Sequence, residues 1–142
     1  MRFLLAAALI IPAITPATTP LAVTADPQSV EQLGDSLSHA LNNADVVLML
    51  ELHWTPAWDW LTAEEVAAAR GEAAASMDAE RVLEARDAGD LPISVQLIEV
   101  TSTAGDSAEV RLLFCFADGG IEEEARRAVW REGGWRLLTD HF

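Results

Sequence analysis

Ten consecutive residues, Glu51 to Trp60, place one histidine, two carboxylates and three indoles side by side. An imidazole within reach of a carboxylate is an acid–base pair, and rings around a few polar groups are how a ligand pocket is lined. Trp54, Trp58 and Trp60, with His53, are therefore the candidate ligand-binding residues. The same rings also serve as the lid of a small core, with Trp58 and Leu61 at i, i+3 packing one helix face. A carboxylate base (Asp45, Glu51 or Asp59) with a donor for an oxyanion would suit an isomerase or dehydratase. The donor is the difficulty. The chain has no tyrosine, so a histidine–aspartate version, His53 with Asp59, is the form left open. No residue is assigned a catalytic role.

Metal and cofactor chemistry finds little support in the spacing. His39, His53 and His141 are the only histidines. None is paired at i, i+4, and the single Cys115 is far from all three in sequence. Glu51 and His53 would share a face only on a strand. There is no Gly-x-Ser-x-Gly, no phosphate loop and no Gly-x-Gly-x-x-Gly, and no cofactor is expected.

The charge narrows the partners. Nine arginines and no lysine stand against 23 Asp and Glu, a net charge of −14 over 142 residues. Such acidity argues against nucleic acid and anionic membrane surfaces and favours solubility. Residues 1–25 read as a signal peptide. Arg2 is a short positive start, Phe3 to Ile14 an apolar stretch too short to span a bilayer, and Val23-Thr24-Ala25 carries the small residues of a cleavage site. Cleavage near Ala25 would release a chain that is secreted or held at the cell envelope, without membrane insertion. Residues 26–142 are then one α+β domain, and one cysteine permits no internal disulfide. Cys115, between Phe114 and Phe116, reads as a small buried apolar group rather than a reactive thiol.

The elements that must position these residues follow from periodicity. Ser29 to Gln32 fits a capping box, and Val30, Leu33, Leu37, Ala40 and Leu41 follow at helical spacing. Val46 to Leu52 is the most apolar run of the domain, favoured as helix or irregular structure over an extra strand. Thr55-Pro56 opens a short turn through Trp60. Thr62 to Glu65 is a second capping box, leading an alanine-rich helix to about Ala75. Ser76 caps a last helix, Met77 to Ala88, with Val82 and Leu83 on its buried side and Gly89 as its left-handed stop.

Four strands then follow. Ile93 to Leu97 alternates, and the phase slip after Leu97 implies a bulge. Thr103 to Ser107 is turn chemistry. Ala108, Val110, Leu112, Phe114 and Phe116 share one face of a central strand. Asp118-Gly119-Gly120 leads into Ile121 to Arg131, and Glu132-Gly133-Gly134 into Trp135 to Phe142. Strands so close in sequence pair antiparallel. Glu122, Glu123 and Glu124 either face Arg111 or Arg136 or form a solvated face. The predicted fold is N-terminal helices packed on a curved four-stranded antiparallel sheet.

Three groups of residues carry a family resemblance: Gly89-Asp90-Leu91-Pro92 at the helix-to-sheet junction, Thr103 to Ala108 in the first hairpin, and Gly133-Gly134-Trp135-Arg136-Leu137 entering the last strand. Over roughly residues 76–140 the chain resembles the mycobacterial secreted low-molecular-weight antigen family, itself similar to cystatin-like and nuclear-transport-factor-2-like cones. The resemblance implies an exported antigen of unassigned role. It also implies Gly89 as helix stop, Pro92 at the sheet entry, Gly133 and Gly134 as turn, and Trp135 as core anchor. It has no counterpart for the Trp54–Trp60 cluster and transfers no catalytic residue. The function expected is a small exported, non-enzymatic domain binding an unknown protein or a small apolar ligand. A divergent cone-fold isomerase or dehydratase with a carboxylate base is the alternative.

Overall fold

The computed structural model describes residues 23–140. The leader expected over residues 1–25 thus lies outside the described residues for all but its last three positions, as do the last two positions of the final strand. In chain order the elements are α1 (Val30–Asn43), α2 (Val46–Glu51), β1 (His53–Trp54), a 3-10 turn (Pro56–Trp60), α3 (Ala63–Ser76), α4 (Ala79–Asp87), β2 (Ser94–Ala104), β3 (Ser107–Cys115), β4 (Ile121–Arg131) and β5 (Gly134–Leu138).

The sheet has five strands in the order β1-β5-β4-β3-β2. The expected antiparallel meander is present as β2 to β5. The expectation of four strands is corrected by β1, which adds to the β5 edge in parallel and makes the sheet mixed. The Leu52 carbonyl accepts from the Leu137 N–H at 2.7 Å and the Trp54 carbonyl from the Thr139 N–H at 2.8 Å. Two residues are too few to show a period of two, so β1 left no signal for periodicity to find. The phase slip in β2 corresponds to register shifts at Leu97/Glu99 and Val100/Ser102. Bulges of this kind bend the strand that carries them.

Each face of the sheet carries its own apolar cluster. Val30, Leu33, Leu37, Ala40 and Leu41 recur at helical spacing, so α1 presents one stripe to Val95, Ala108, Val110, Leu112, Ala128 and Leu137. Each fully buried Val or Leu contributes about 1.5–3 kcal/mol. The second cluster joins Trp54, Trp58, Val66 and Val129, with Ala69 and Leu138 against it. Leu137 and Leu138 are consecutive in β5, as are Ala128 and Val129 in β4, so the two clusters lie on opposite faces. The alanine-rich α3 therefore does not share the face that α1 covers.

Several local expectations change for identifiable reasons. Thr62 and Glu65 form the full reciprocal capping box. Ser29 caps α1 by accepting from the Gln32 N–H, but the Gln32 side chain accepts from the Gln28 N–H instead of returning to Ser29. Ser76 ends α3, donating to the Ala73 carbonyl at 2.9 Å, and Asp78 is the cap of α4. With α4 starting later, Val82 is buried while Leu83 is 38 % exposed. Gly89, at φ +85°, closes α4 in a Schellman motif: its N–H reaches the Arg86 carbonyl and the Asp90 N–H the Ala85 carbonyl. The last hairpin turns at Glu132 and Gly133, both at positive φ. Gly134 is already strand, and a Cβ there would meet the Asp26 backbone at 2.9 Å. Cys115 is half-buried at the end of β3, not enclosed as expected. Trp135, expected as a core anchor, is half-buried, packing on the α1 cluster and edge-to-face on Trp130 at 5.8 Å.

Arg136 departs most from expectation. It is 1 % exposed, and it does not face Glu122–Glu124. A guanidinium has five N–H donors, and here all five are used. Nε donates to the Arg131 carbonyl (3.1 Å). Nη1 donates to the carbonyls of Ala25 and Glu51, the latter at 2.8 Å. Nη2 donates to Asp26 Oδ1 (2.7 Å) and the Glu132 carbonyl (3.2 Å). It thereby fastens the segment before α1, the end of α2 and the last hairpin together. Of the three glutamates, Glu123 does meet Arg111, which also reaches Glu99 at 3.4 Å. Exposed pairs of this kind contribute about 0–1 kcal/mol.

Candidate functional site

The segment from α2 into β1 positions the central residue. α2 starts on Asp45, whose carboxylate accepts from the Leu48 N–H at 3.1 Å, and ends at Glu51, where the chain turns extended to join β5. The turn strands last-turn carbonyls. Arg136 takes that of Glu51. Arg70, from α3, donates to those of Leu50 (3.2 Å) and His53 (3.3 Å). The Met49 carbonyl is met by the His53 ring, Nδ1 to oxygen 2.6 Å. A carbonyl can only accept, so Nδ1 carries the proton and Nε2 is the basic nitrogen. Burial is the main cause that holds the His53 pKa below the ordinary imidazole value. The Met49 bond opposes it, and the charges of Arg126 and Arg70 push it further down. The ring is thus neutral at pH 7.

On β1, successive side chains point to opposite faces. His53 pairs with Leu137 and Trp54 with Leu138, so the histidine turns toward α1 while Trp54 turns away. His53 lines a cavity of about 160 Å³ between α1, α2 and the sheet, with Leu37, Leu41, Met49, Leu91, Pro92, Val95, Phe114, Leu137 and Arg126. His53 and Arg126 are the only polar lining residues among those described. A second hollow of about 180 Å³ lies across Met49 and His53, against Leu50, Met77 and Thr139.

Sequence reading missed Arg126. The signal was parity: Arg126 is two residues from Ala128, which is buried on the α1 side, and it stands opposite Val110 of the inner face. The run of charges in β4 concealed it. Its Nη2 donates to the Leu138 carbonyl at 3.1 Å, and its Nη1 lies 3.6 Å from Glu124.

The aromatic candidates are not brought together as a lining. Trp54 and Trp58 are buried edge-to-face, centroids 5.4 Å apart. Arg70 lies over both rings, at 5.7 Å and 5.0 Å, and pairs with Glu132 at 2.6 Å. Trp60 is 89 % exposed. Trp58 also borders an open groove of about 500 Å³ with Thr55, Ala57, Ala69, Glu72, Ala73, Ser76 and Asp140. The groove is larger than the histidine cavity but not enclosed.

The carboxylates go elsewhere. Asp59 accepts from Trp54 Nε1 at 2.9 Å and Arg131 Nε at 2.9 Å. The Arg131 bond chiefly, with help from Trp54 and against desolvation, holds its carboxyl below the usual range. The His53–Asp59 pair is therefore not formed. Asp45 is an exposed cap, and Glu51 borders a hollow between α2 and α3. Among the described residues, no three His, Cys, Asp or Glu side chains stand close enough to hold a metal ion. No helix among them is long and apolar enough to cross a membrane.

No family model and no curated protein matches the chain. Among solved structures, it is similar to a Campylobacter jejuni protein described as a candidate NTF2-like transpeptidase, at 19 % identity and a TM-score of 0.49, covering 77 % of this chain and 96 % of that one. It is also similar to a SEC-C-motif-containing protein of Rhodopseudomonas palustris, at 16 % identity and a TM-score of 0.45, covering 78 % and 76 %. Neither likeness reaches the secreted antigen family that the junction motifs resemble.

Proposed function

We propose that this chain is an exported, non-enzymatic domain of the cone type that encloses a small, largely apolar molecule between α1, α2 and the sheet, beside His53. The observation that carries the reading is the cavity. Eight apolar side chains and two convergent polar ones are the make-up of a small-molecule site. At roughly 30 Å³ per water-sized group, the space suits an apolar tail of about five or six heavy atoms. The aromatic group weighed in the sequence is given up as lining, since Trp54 and Trp58 are packed on the other face and Trp60 stands in solvent. Against the isomerase or dehydratase alternative stands the chemistry of the lining: none of its described residues is a carboxylate. Export rests on the N-terminal apolar segment, and membership of the antigen family on the motifs at Gly89, Gly105 and Gly133.

The test is a titration with 1-hexanol, followed by amide chemical shifts. Shifts confined to Leu37, Met49, Val95, Phe114 and Leu137 are expected, and Leu91→Trp, which fills the space from its loop side, should abolish them. Absence of any shift, or shifts centred on Trp58, would overturn the reading.

A further inference from the structure

We infer that the molecule held in this cavity is an acid, its carboxylate bound by the Arg126 guanidinium and its apolar tail directed toward Leu37, Met49 and Phe114. The inference rests on the cavity being a ligand site and adds the chemical class of the ligand. Arg126 is the single charged side chain among the described lining residues. Most other enclosed arginines are consumed by the fold; Arg86 gives Nη1 to the Leu41 and Asn42 carbonyls but leaves its buried Nε unpartnered, and it does not line the cavity. Arg136 uses all five donors, Arg70 bonds two carbonyls and Glu132, and Arg131 bonds Asp59, Asp106 and a carbonyl. Arg126, by contrast, makes one hydrogen bond, from Nη2 to the Leu138 carbonyl. Its nearest carboxylate, Glu124, stands at 3.6 Å, beyond hydrogen-bonding range. In a chain with 23 acidic residues, a half-buried guanidinium that retains donors beside an apolar hollow is the unusual feature.

The geometry suits a carboxylate better than a neutral head. A guanidinium presents paired N–H groups that match the two oxygens of a carboxylate, and charge-assisted bonds of this kind are about twice as strong as neutral ones. Arg126 is 27 % exposed, so the head group would sit at the rim and the tail inside. The neutral ring of His53 adds no second charge that would favour a dianion. The net charge of the molecule opposes an anion at long range. That field is screened beyond about 8 Å at physiological ionic strength, so contact with the guanidinium decides the outcome.

The experiment compares hexanoate, 1-hexanol and hexylamine by calorimetric titration of the folded chain and of Arg126→Gln, Arg126→Lys and Glu124→Gln. Hexanoate is expected to bind more tightly than 1-hexanol by about tenfold or more, the scale of one charged hydrogen bond, with hexylamine weakest. Arg126→Gln should erase that preference, bringing hexanoate to the level of 1-hexanol, and Arg126→Lys should keep part of it. Should Arg126→Gln fail to fold, Glu124→Gln decides: removing the neighbouring carboxylate should tighten hexanoate and not 1-hexanol. Equal binding of hexanoate and 1-hexanol, or a preference that survives Arg126→Gln, overturns the acid and leaves the cavity as an apolar site. If none of the three probes binds, the cavity reading falls, and the acid with it.

Discussion

At the scale of single residues, neighbours in sequence are separated by the fold into unlike roles. His53 and Trp54 are adjacent, yet one faces the cavity and the other packs under Arg70. Trp58 is buried and Trp60 is not. Trp58→Ala is therefore expected to cost about 3–5 kcal/mol and Trp60→Ala less than about 0.5, read from denaturant midpoints. Similar costs for the two would contradict the packing role. His53 gives a pH dependence. Its folded-state pKa lies below the unfolded value of about 6.5, so the unfolded chain takes up the proton first as pH falls. Stability is then full above about pH 6.5 and declines as pH drops toward the folded pKa. His53→Gln should flatten that decline, measured by urea unfolding at steps from about pH 7.5 to pH 5. An unchanged slope would show that His53 does not set it. Asp59 acts in a lower window, its stabilisation present above about pH 3.9 and lost as pH falls through its depressed pKa.

At the scale of elements, much of the architecture was legible because it is written in repeats. The α1 stripe, the Thr62–Glu65 box and the β3 alternation each follow a fixed spacing, the bulge in β2 shows as a break in one, and each appears where expected. What stayed hidden has no period. β1 is two residues long. Arg126 looks like any charge in an exposed strand until its parity with Ala128 is counted. Arg136 reads as solvent-facing because its acceptors are mainly backbone carbonyls, and three of the five partners, Ala25, Asp26 and Glu51, are distant in sequence. The short segment before α1 is itself an element of the fold. The Thr24 N–H donates to the buried Ser36 hydroxyl at 3.1 Å, and the Ala25 carbonyl accepts from Arg136. A chain beginning at Asp26 would lose both and place an ammonium beside that guanidinium. It should be less stable than one beginning at Val23 by about 1–3 kcal/mol, the cost of leaving a buried donor unmatched. Equal melting of the two chains would show that residues 23–25 contribute nothing.

At the scale of the whole molecule, the two faces of the sheet divide the work. Trp54, Trp58, Val66 and Val129 fill one side of the β1 edge completely enough that arginine and tryptophan interlock there. On the other side α1 crosses β2 closely, with Gly34 against Leu97, and the cavity around His53 lies between α1, α2 and the sheet. The Trp54 face holds packed rings beside an open groove, while the α1 face holds the larger apolar cluster with the hollow set into it. Xenon enters dry, apolar cavities of this size without needing a polar partner, so crystals pressurised with xenon test the hollow apart from any choice of ligand. Electron density for xenon is predicted in contact with Leu37, Met49, Phe114 and Leu137. Xenon found only in the groove beside Trp58, or nowhere in the molecule, would contradict the account.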